Sequence, residues 1–183
     1  MEQDDALVSQ LDYYRARADE YDVSIGGEAA LLTEAGPSIK ALGHFDTALE
    51  LACGTGIWTR LLAESCDEVT AVDAAPEMIE KARRLLGDRA VRFVVADAFT
   101  WQPEQTYGLV FFANWLTHVP PSRLDAFLAN VTQAVQPGGW LVMVEQETPS
   151  PEDESIAEGI YAHRPLRDGR EFTIVKVFRH AED

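Results

Sequence analysis

Three carboxylates and a glycine turn stand where they could hold a ligand. The apolar run Thr47–Ala52 leads into Cys53-Gly-Thr-Gly56, with Glu50 four residues before the first glycine. Glycines let a backbone turn sharply and approach a ligand that a Cβ would block, and the N–H groups at the start of the next helix face polar groups. Asp73 ends the next apolar run, where it can accept hydrogen bonds from ribose hydroxyls. Asp97 follows the one after, where it can meet an adenine amino group, with Met78 and Phe99 as apolar walls. In a doubly wound sheet all three acids fall along the carboxyl edge, where ligands bind. The pattern is that of a nucleotide-type cofactor site. His118 is a candidate general base, since histidine titrates near pH ~6.5 when unperturbed; a purely structural role in the Trp115–Pro120 loop is the competing reading. Arg164, Arg167, Arg170 and Lys176 concentrate positive charge late in the chain, and Arg15 and Arg17 could join them around an anionic substrate.

The elements that must position these groups read as follows. Helices are expected over Ala6–Tyr21 and, interrupted by Gly36-Pro37, over Glu28–Leu42. Strands at Thr47–Ala52, Glu68–Asp73, Val91–Ala96, Tyr107–Ala113 and Trp140–Glu145 alternate with helices at Ile57–Glu64, Pro76–Leu86 and Pro121–Val135, the last with Ser122 as a candidate cap. Continuous apolar strands separated by helices mean a mostly parallel sheet covered on both faces. Thr148–Glu158 begins as an acidic loop, and Phe172–Phe178 reads as a last strand.

The chain has 183 residues, 46% of them hydrophobic, enough for one domain with a sizeable core. Thirty-one acidic against 15 basic residues give a formal net charge of −16. Such a surface repels phosphate backbones and anionic membranes, so neither a nucleic acid nor a membrane is an expected partner. No apolar run approaches the roughly 20 residues that cross a bilayer, and the acidic N-terminus has no signal core, so cytoplasmic residence is the default expectation. The two cysteines, Cys53 and Cys66, suggest neither a disulfide nor a metal site.

These motifs resemble those of class I S-adenosylmethionine-dependent methyltransferases. Glu50 to Gly56 is similar to the family's first motif, Val72 to Met78 to the second, and Ala96 to Phe99 to the third. Tyr107 to Val119 and Val135 to Leu141 are similar to the fourth and fifth. Within the family the likeness is to small bacterial O-methyltransferases of secondary metabolism, the phosphonate type above all. It rests on the Tyr13-Tyr-Arg-Ala-Arg-Ala start and on the Trp115-Leu-x-His-Val-Pro and Asp168-Gly-Arg-x-Phe-x-Ile-Val-Lys-Val-Phe-Arg segments. The resemblance implies a Rossmann-like α/β fold in a single domain, residues 1–183. It has a helical lid at 1–45, a cofactor core at 46–147 and a substrate-side segment at 148–183.

It also implies S-adenosylmethionine as cofactor, held by Tyr14, Tyr21, Glu50, Leu51, Ala52, Gly54, Gly56, Trp58, Asp73, Ala74, Met78, Asp97, Ala98, Phe99, Ala113 and Asn114. The acceptor would be a small molecule methylated on an oxygen of a hydroxyl, carboxylate or phosphonate, and would meet Tyr21, Trp115, His118, Arg170 and Lys176. Members of the family carry a further C-terminal helix and β-hairpin, which are expected to be missing here. An open sheet edge at Phe172–Phe178 is therefore expected, with a homodimer through that side as one way to cover it. Two other readings compete: a cofactor-binding remnant without turnover, and a nicotinamide-dependent oxidoreductase. The second is disfavoured because Thr59 replaces the third glycine of Gly-x-Gly-x-x-Gly.

Overall fold

The computed structural model describes residues 3–21, 26–145 and 157–179. In chain order the elements are α1 (Gln3–Tyr21), α2 (Gly26–Ala41), β1 (Phe45–Leu51), α3 (Ile57–Leu62), β2 (Cys66–Asp73), α4 (Pro76–Leu86), β3 (Val91–Val95) and β4 (Tyr107–Ala113). A short 3-10 turn (Leu116–His118), α5 (Pro121–Ala134), β5 (Val135–Val144), β6 (Ala157–Glu158), β7 (Tyr161–Pro165) and β8 (Glu171–Val175) follow. Strands β1 to β5 form one sheet in the order β3-β2-β1-β4-β5, every neighbouring pair parallel. The chain runs outward from β1 in one direction and from β4 in the other. The switch point between β1 and β4 opens a crevice at their carboxyl ends.

The core divides across the sheet. One face packs Leu49, Leu51, Val110 and Phe112 against Phe127 and Val131 of α5. The other packs Ala48, Leu109 and Phe111 against Ile39 of α2 and Trp58, Leu61 and Leu62 of α3. β4 is central, with every residue from Tyr107 to Phe112 buried, which is why it reads as an unbroken apolar run. Among the described residues no helix is long and apolar enough to cross a membrane.

Four expectations need correction. Helix α2 is not interrupted at Gly36-Pro37; Pro37 lies within it. The proline removes one backbone donor, but Ile39 and its neighbours Leu32 and Ala35 anchor the helix to the core. Ser122 is not the cap of α5, whose cap position is Pro120; its hydroxyl instead donates to Gln3 Oε1 of α1. β5 starts at Val135, absorbing Pro137-Gly138-Gly139 in an irregularity opposite Tyr107–Leu109.

The fourth correction is the largest. The Phe172–Phe178 segment does not join the central sheet. It supplies β8, the edge of a separate antiparallel sheet ordered β6-β7-β8, and the central sheet ends at β3 and β5. The free side of β8 is covered by α1: Thr173 N–H donates to Ser9 Oγ (2.9 Å) and Val175 N–H to Gln10 Oε1 (3.0 Å). Two polar side chains of a helix thus stand in for a neighbouring strand. The loop expected over Thr148–Glu158 lies outside the described residues except for Ala157 and Glu158, which form β6.

Candidate active site

The crevice is a cavity roofed by α1 and floored by the turns that follow β1, β2, β3 and β4. Its walls include Ala52, Gly54, Trp58, Asp73, Ala74, Met78, Asp97, Ala98, Phe99, Ala113, Asn114, Trp115 and His118, with Tyr14 and Tyr21 from α1.

The β1 turn is built on unusual backbone. Ala52 has φ 54°, and Gly54 and Gly56 have φ 53° and 86°. The two glycines serve different ends. A Cβ on Gly54 would meet nothing within 4 Å, so its backbone lies open to the cavity. A Cβ on Gly56 would stand 2.9 Å from Ala82 Cβ and 3.1 Å from Ala82 Cα. Gly56 therefore lets α3 pack on α4 and is not part of the cavity wall. The Gly54 turn is tied to the second strand through Asp73: Gly54 N–H donates to Oδ2 and Ala75 N–H to Oδ1, both at 2.8 Å. Burial pushes the Asp73 carboxyl above its ordinary range, while N–H donors from Ala75, Gly54 and Ala74 pull it back. A carboxylate has about four lone-pair sites, so Asp73 keeps acceptor capacity beyond these backbone donors. Asp97 is exposed at the cavity rim and folds its Oδ1 onto Phe99 N–H (2.9 Å), which turns the chain so that Phe99 forms a wall.

At the other end, Tyr14 Oη lies 2.8 Å from His118 Nε2, and His118 Nδ1 lies 2.8 Å from the Val175 carbonyl. A carbonyl only accepts, so Nδ1 carries a proton. In the neutral ring Nε2 is then the acceptor for the Tyr14 hydroxyl. His118 is 5% exposed and borders the cavity beside Tyr14. Three elements meet in this chain of bonds: the roof helix, the turn after β4 and the second sheet.

Five residues expected at the site do not line the cavity. Glu50 is 2% exposed within β1, one residue before the strand ends at Leu51. Leu51 belongs to the core shared with α5, and Gly56 makes the helix contact described above. Arg170 turns back on Asp168 at 2.7 Å, and Lys176 lies over the Phe178 ring at 5.1 Å. Three other cations of the expected cluster are also engaged elsewhere. Arg15 meets Glu77 (3.2 Å), Arg167 meets Glu20 (3.9 Å), and Arg17 sits over the rings of Tyr13 and Tyr21. Among the described arginines and lysines, Arg123 is the one that lines the cavity; it stacks 5.2 Å over Phe99 and reaches Asp4 of α1 at 2.7 Å. No group of three or more metal-ligating side chains occurs among the described residues. Cys53 and Cys66 are free and buried, and burial pushes the Cys66 thiol up to about 11.

Sequence reasoning missed Leu7, Gln10 and Leu11 of the cavity wall. The signal was present: Leu7, Leu11, Tyr14, Ala18 and Tyr21 recur at spacings of three and four, marking one face of a helix. Glu145 and Arg179 were missed too, since each acts on backbone groups far away in sequence.

A parallel sheet with this switch point, a glycine turn stitched to a strand-end aspartate and a helix across the crevice defines a Rossmann-like methyltransferase fold. The chain belongs to the methyltransferase family: a methyltransferase-domain family model matches residues 48–139. Among solved structures, the DhpI-SAM-HEP complex is 39% identical, with a TM-score of 0.85 over 100% of this chain and 86% of that one. Trans-aconitate 2-methyltransferase of Escherichia coli O157:H7 is 34% identical over 140 residues, 67% of this chain and 54% of its own length. Nodulation protein S of Rhizobium tropici is 31% identical over 104 residues, 56% of this chain and 44% of its own. The chain thus spans about half the length of these curated relatives. The family membership replaces the oxidoreductase reading.

Proposed function

We propose that this chain transfers a methyl group from S-adenosylmethionine to an oxygen of a small, anionic acceptor, a phosphonate or carboxylate. The observation that carries the reading is the cavity itself. It joins the Asp73-held glycine turn at one end to the Tyr14–His118 pair at the other. The likeness to the DhpI-SAM-HEP complex over the whole chain supports it, as does the resemblance to phosphonate O-methyltransferases.

The residues present suit the cofactor. Gly54 leaves room for close approach of a ligand to backbone. Asp73 and Asp97 offer acceptors for hydroxyl and amino groups. The indole N–H groups of Trp58 and Trp115, both residues of the cavity wall, are buried without a hydrogen-bond partner. A buried donor left unmade costs roughly 1–3 kcal/mol, which a polar ligand would recover. When bound, the cofactor supplies a methyl group on a positively charged sulfur, already a good leaving group.

The protein's contribution is then alignment, worth about 7–11 kcal/mol when two reactants are held as a near-attack pair. Asp73 and the Gly54 turn fix one end of the cavity, and Phe99, Met78 and Trp115 its walls. Tyr14 donates its one hydroxyl proton to His118 Nε2 and so offers the cavity an oxygen lone pair, which suits an acceptor that still carries a proton. An anionic acceptor needs no base. For a neutral hydroxyl, the proton would pass to Tyr14 Oη as the phenolic proton moves to His118 Nε2, giving an imidazolium whose Nδ1–H stays on Val175 O. α1 excludes water from above.

The test is an acceptor panel of alkyl phosphonates, trans-aconitate and simple hydroxy acids, incubated with deuteromethyl S-adenosylmethionine and read by mass spectrometry. A labelled ester of a phosphonate or carboxylate, formed in step with S-adenosylhomocysteine, is the expected result. Label only on hydroxyl or amine acceptors would refute the anionic class. Cofactor binding with no labelled product from any acceptor would favour a binder without turnover.

A further inference from the structure

The turn that carries Trp115 and His118 has little reason to hold its shape alone. It is three residues of 3-10 helix between a strand and a helix, and isolated turns of this kind are marginal. Its N-terminal donors converge on one atom: Trp115 N–H and Leu116 N–H both donate to Glu145 Oε1, at 2.9 and 2.6 Å. Its C-terminal acceptors are gripped from the opposite side. The Arg179 guanidinium donates through Nη1 to Leu116 O and through Nη2 to Val119 O, the latter at 2.6 Å. Between them, Val177 N–H donates to Thr117 O at 2.7 Å, and Asn114 N–H donates to Val144 O at 2.8 Å.

We propose that Glu145 and Arg179 are positioning residues that clamp this turn from its two ends and so set the orientation in which His118 meets Tyr14. The charges match the ends they hold, an anion at the N–H end and a cation at the carbonyl end. Charge-assisted bonds of this kind are about twice as strong as neutral ones. Neither residue lines the cavity, so each acts through the turn. Glu145 stays in place at a cost: its Oε2 is buried with no hydrogen-bond partner. Burial also lifts its carboxyl above the ordinary range, against the pull of the turn's N–H groups and the charge of Lys176. Arg179 and Val177 follow β8, whose Val175 carbonyl holds His118 Nδ1. One short stretch of chain therefore fixes both the backbone of the turn and the tautomer of its histidine. The catalytic meaning rests on the methyl-transfer reading above; the clamp itself does not.

The experiment reads the imidazole directly. Long-range proton–nitrogen spectra of the ligand-free full chain resolve the tautomer of each of its four histidines, with His118 assigned by its loss in His118→Gln. Wild-type protein should show a single Nδ1–H tautomer for neutral His118. Glu145→Gln keeps an acceptor oxygen and should retain that signature. Glu145→Ala and Arg179→Met should replace it with an averaged one, and turnover, once an acceptor is found, should fall up to about a hundredfold, the scale of a 1 Å misplacement. In wild-type protein the Trp115 and Leu116 amide signals should also move together through the titration of one carboxyl group, with Lys176 the charged neighbour. An unchanged tautomer in both Glu145→Ala and Arg179→Met overturns the proposal. So does an absent or independent response of the two wild-type amides, which decides the matter if the variants do not fold. Loss of the tautomer in a protein that transfers no methyl group would leave the clamp standing and remove the proposed function.

Discussion

Gly56→Ala separates packing from ligand binding. Gly56 has φ 86°, a conformation that costs an L-residue about 1–2 kcal/mol. The added methyl would approach Ala82 Cβ to 2.9 Å, Leu86 Cδ2 to 3.0 Å and Ala82 Cα to 3.1 Å. The Leu86 contact can yield by a rotamer change, but the Ala82 contacts need α3 and α4 to move apart. Overpacking of this kind costs about 1–3 kcal/mol. The sum, about 2–5 kcal/mol, is a large fraction of the roughly 5–15 kcal/mol that holds a domain together. For a chain of this size it corresponds to a melting-point loss on the order of 5–15 °C. Gly54→Ala is the contrast. Its φ of 53° carries a similar backbone cost, but the new methyl meets nothing within 4 Å. It should cost only a few degrees while placing a methyl at the wall of the cavity, weakening S-adenosylhomocysteine binding about tenfold or more. Circular-dichroism melts of ligand-free protein and calorimetric titration of both variants give the readings. If Gly56→Ala melts within about 2 °C of wild type yet loses ligand affinity, the assignment of that glycine to helix packing is wrong.

Three more outcomes are expected. Tyr14→Phe removes the hydroxyl that donates to His118 Nε2; with a hydroxyl acceptor turnover should fall about a hundredfold or more while S-adenosylhomocysteine affinity stays within about twofold, and an unchanged rate with that acceptor would exclude Tyr14 from proton transfer. Gln10→Leu leaves the buried Val175 N–H without its acceptor, which should cost about 1–3 kcal/mol in chemical denaturation; no loss would mean that β8 does not depend on α1. Burial raises the carboxyls of Asp73 and Glu145 above their unfolded values, so between the two values the native state binds more protons than the unfolded chain, and stability falls as pH rises through that interval. The lowered carboxyls of Glu64, Glu77, Glu104 and Asp168 act in the opposite sense but weakly, being at the surface, and relief of self-repulsion at lower pH in a chain of net charge −16 acts in the same sense as the buried pair. Ligand-free protein should therefore melt progressively lower as pH rises above the ordinary carboxylate range, and a monotonic rise with pH there would contradict the buried-carboxylate picture.

The first half of the fold was legible because its rules are local. Apolar runs of strand length, Pro76 at a helix start and the Gly54–Gly56 turn each mark an element without reference to distant residues. The same logic brought Asp73, Asp97 and the β4 end to one edge. It did not separate the two glycines, because φ and the neighbours of a Cβ are tertiary facts. The C-terminal third was misread for a similar reason. Glu171–Val175 has the composition of a strand, but which strand it pairs with is decided by Tyr161–Pro165 and by Ser9 and Gln10 on α1. The cations Arg170 and Lys176 were placed by charge alone, and nearby Asp168 and Phe178 are what they meet. Glu145 and Arg179 carry no motif: their partners are backbone atoms of residues about 30 and 60 positions away.

The most direct test of the central claim is a calorimetric titration of the protein with S-adenosylhomocysteine, run beside Asp73→Ala. That substitution removes the carboxylate that holds the Gly54 turn at 2.8 Å and faces the cavity, and hydrogen bonds to a charged acceptor are worth about 1.5–3 kcal/mol. One site per chain is expected, with an affinity about 10- to 150-fold weaker in the variant, which should remain folded. No heat with the wild-type protein, or the same affinity in Asp73→Ala, would contradict the account.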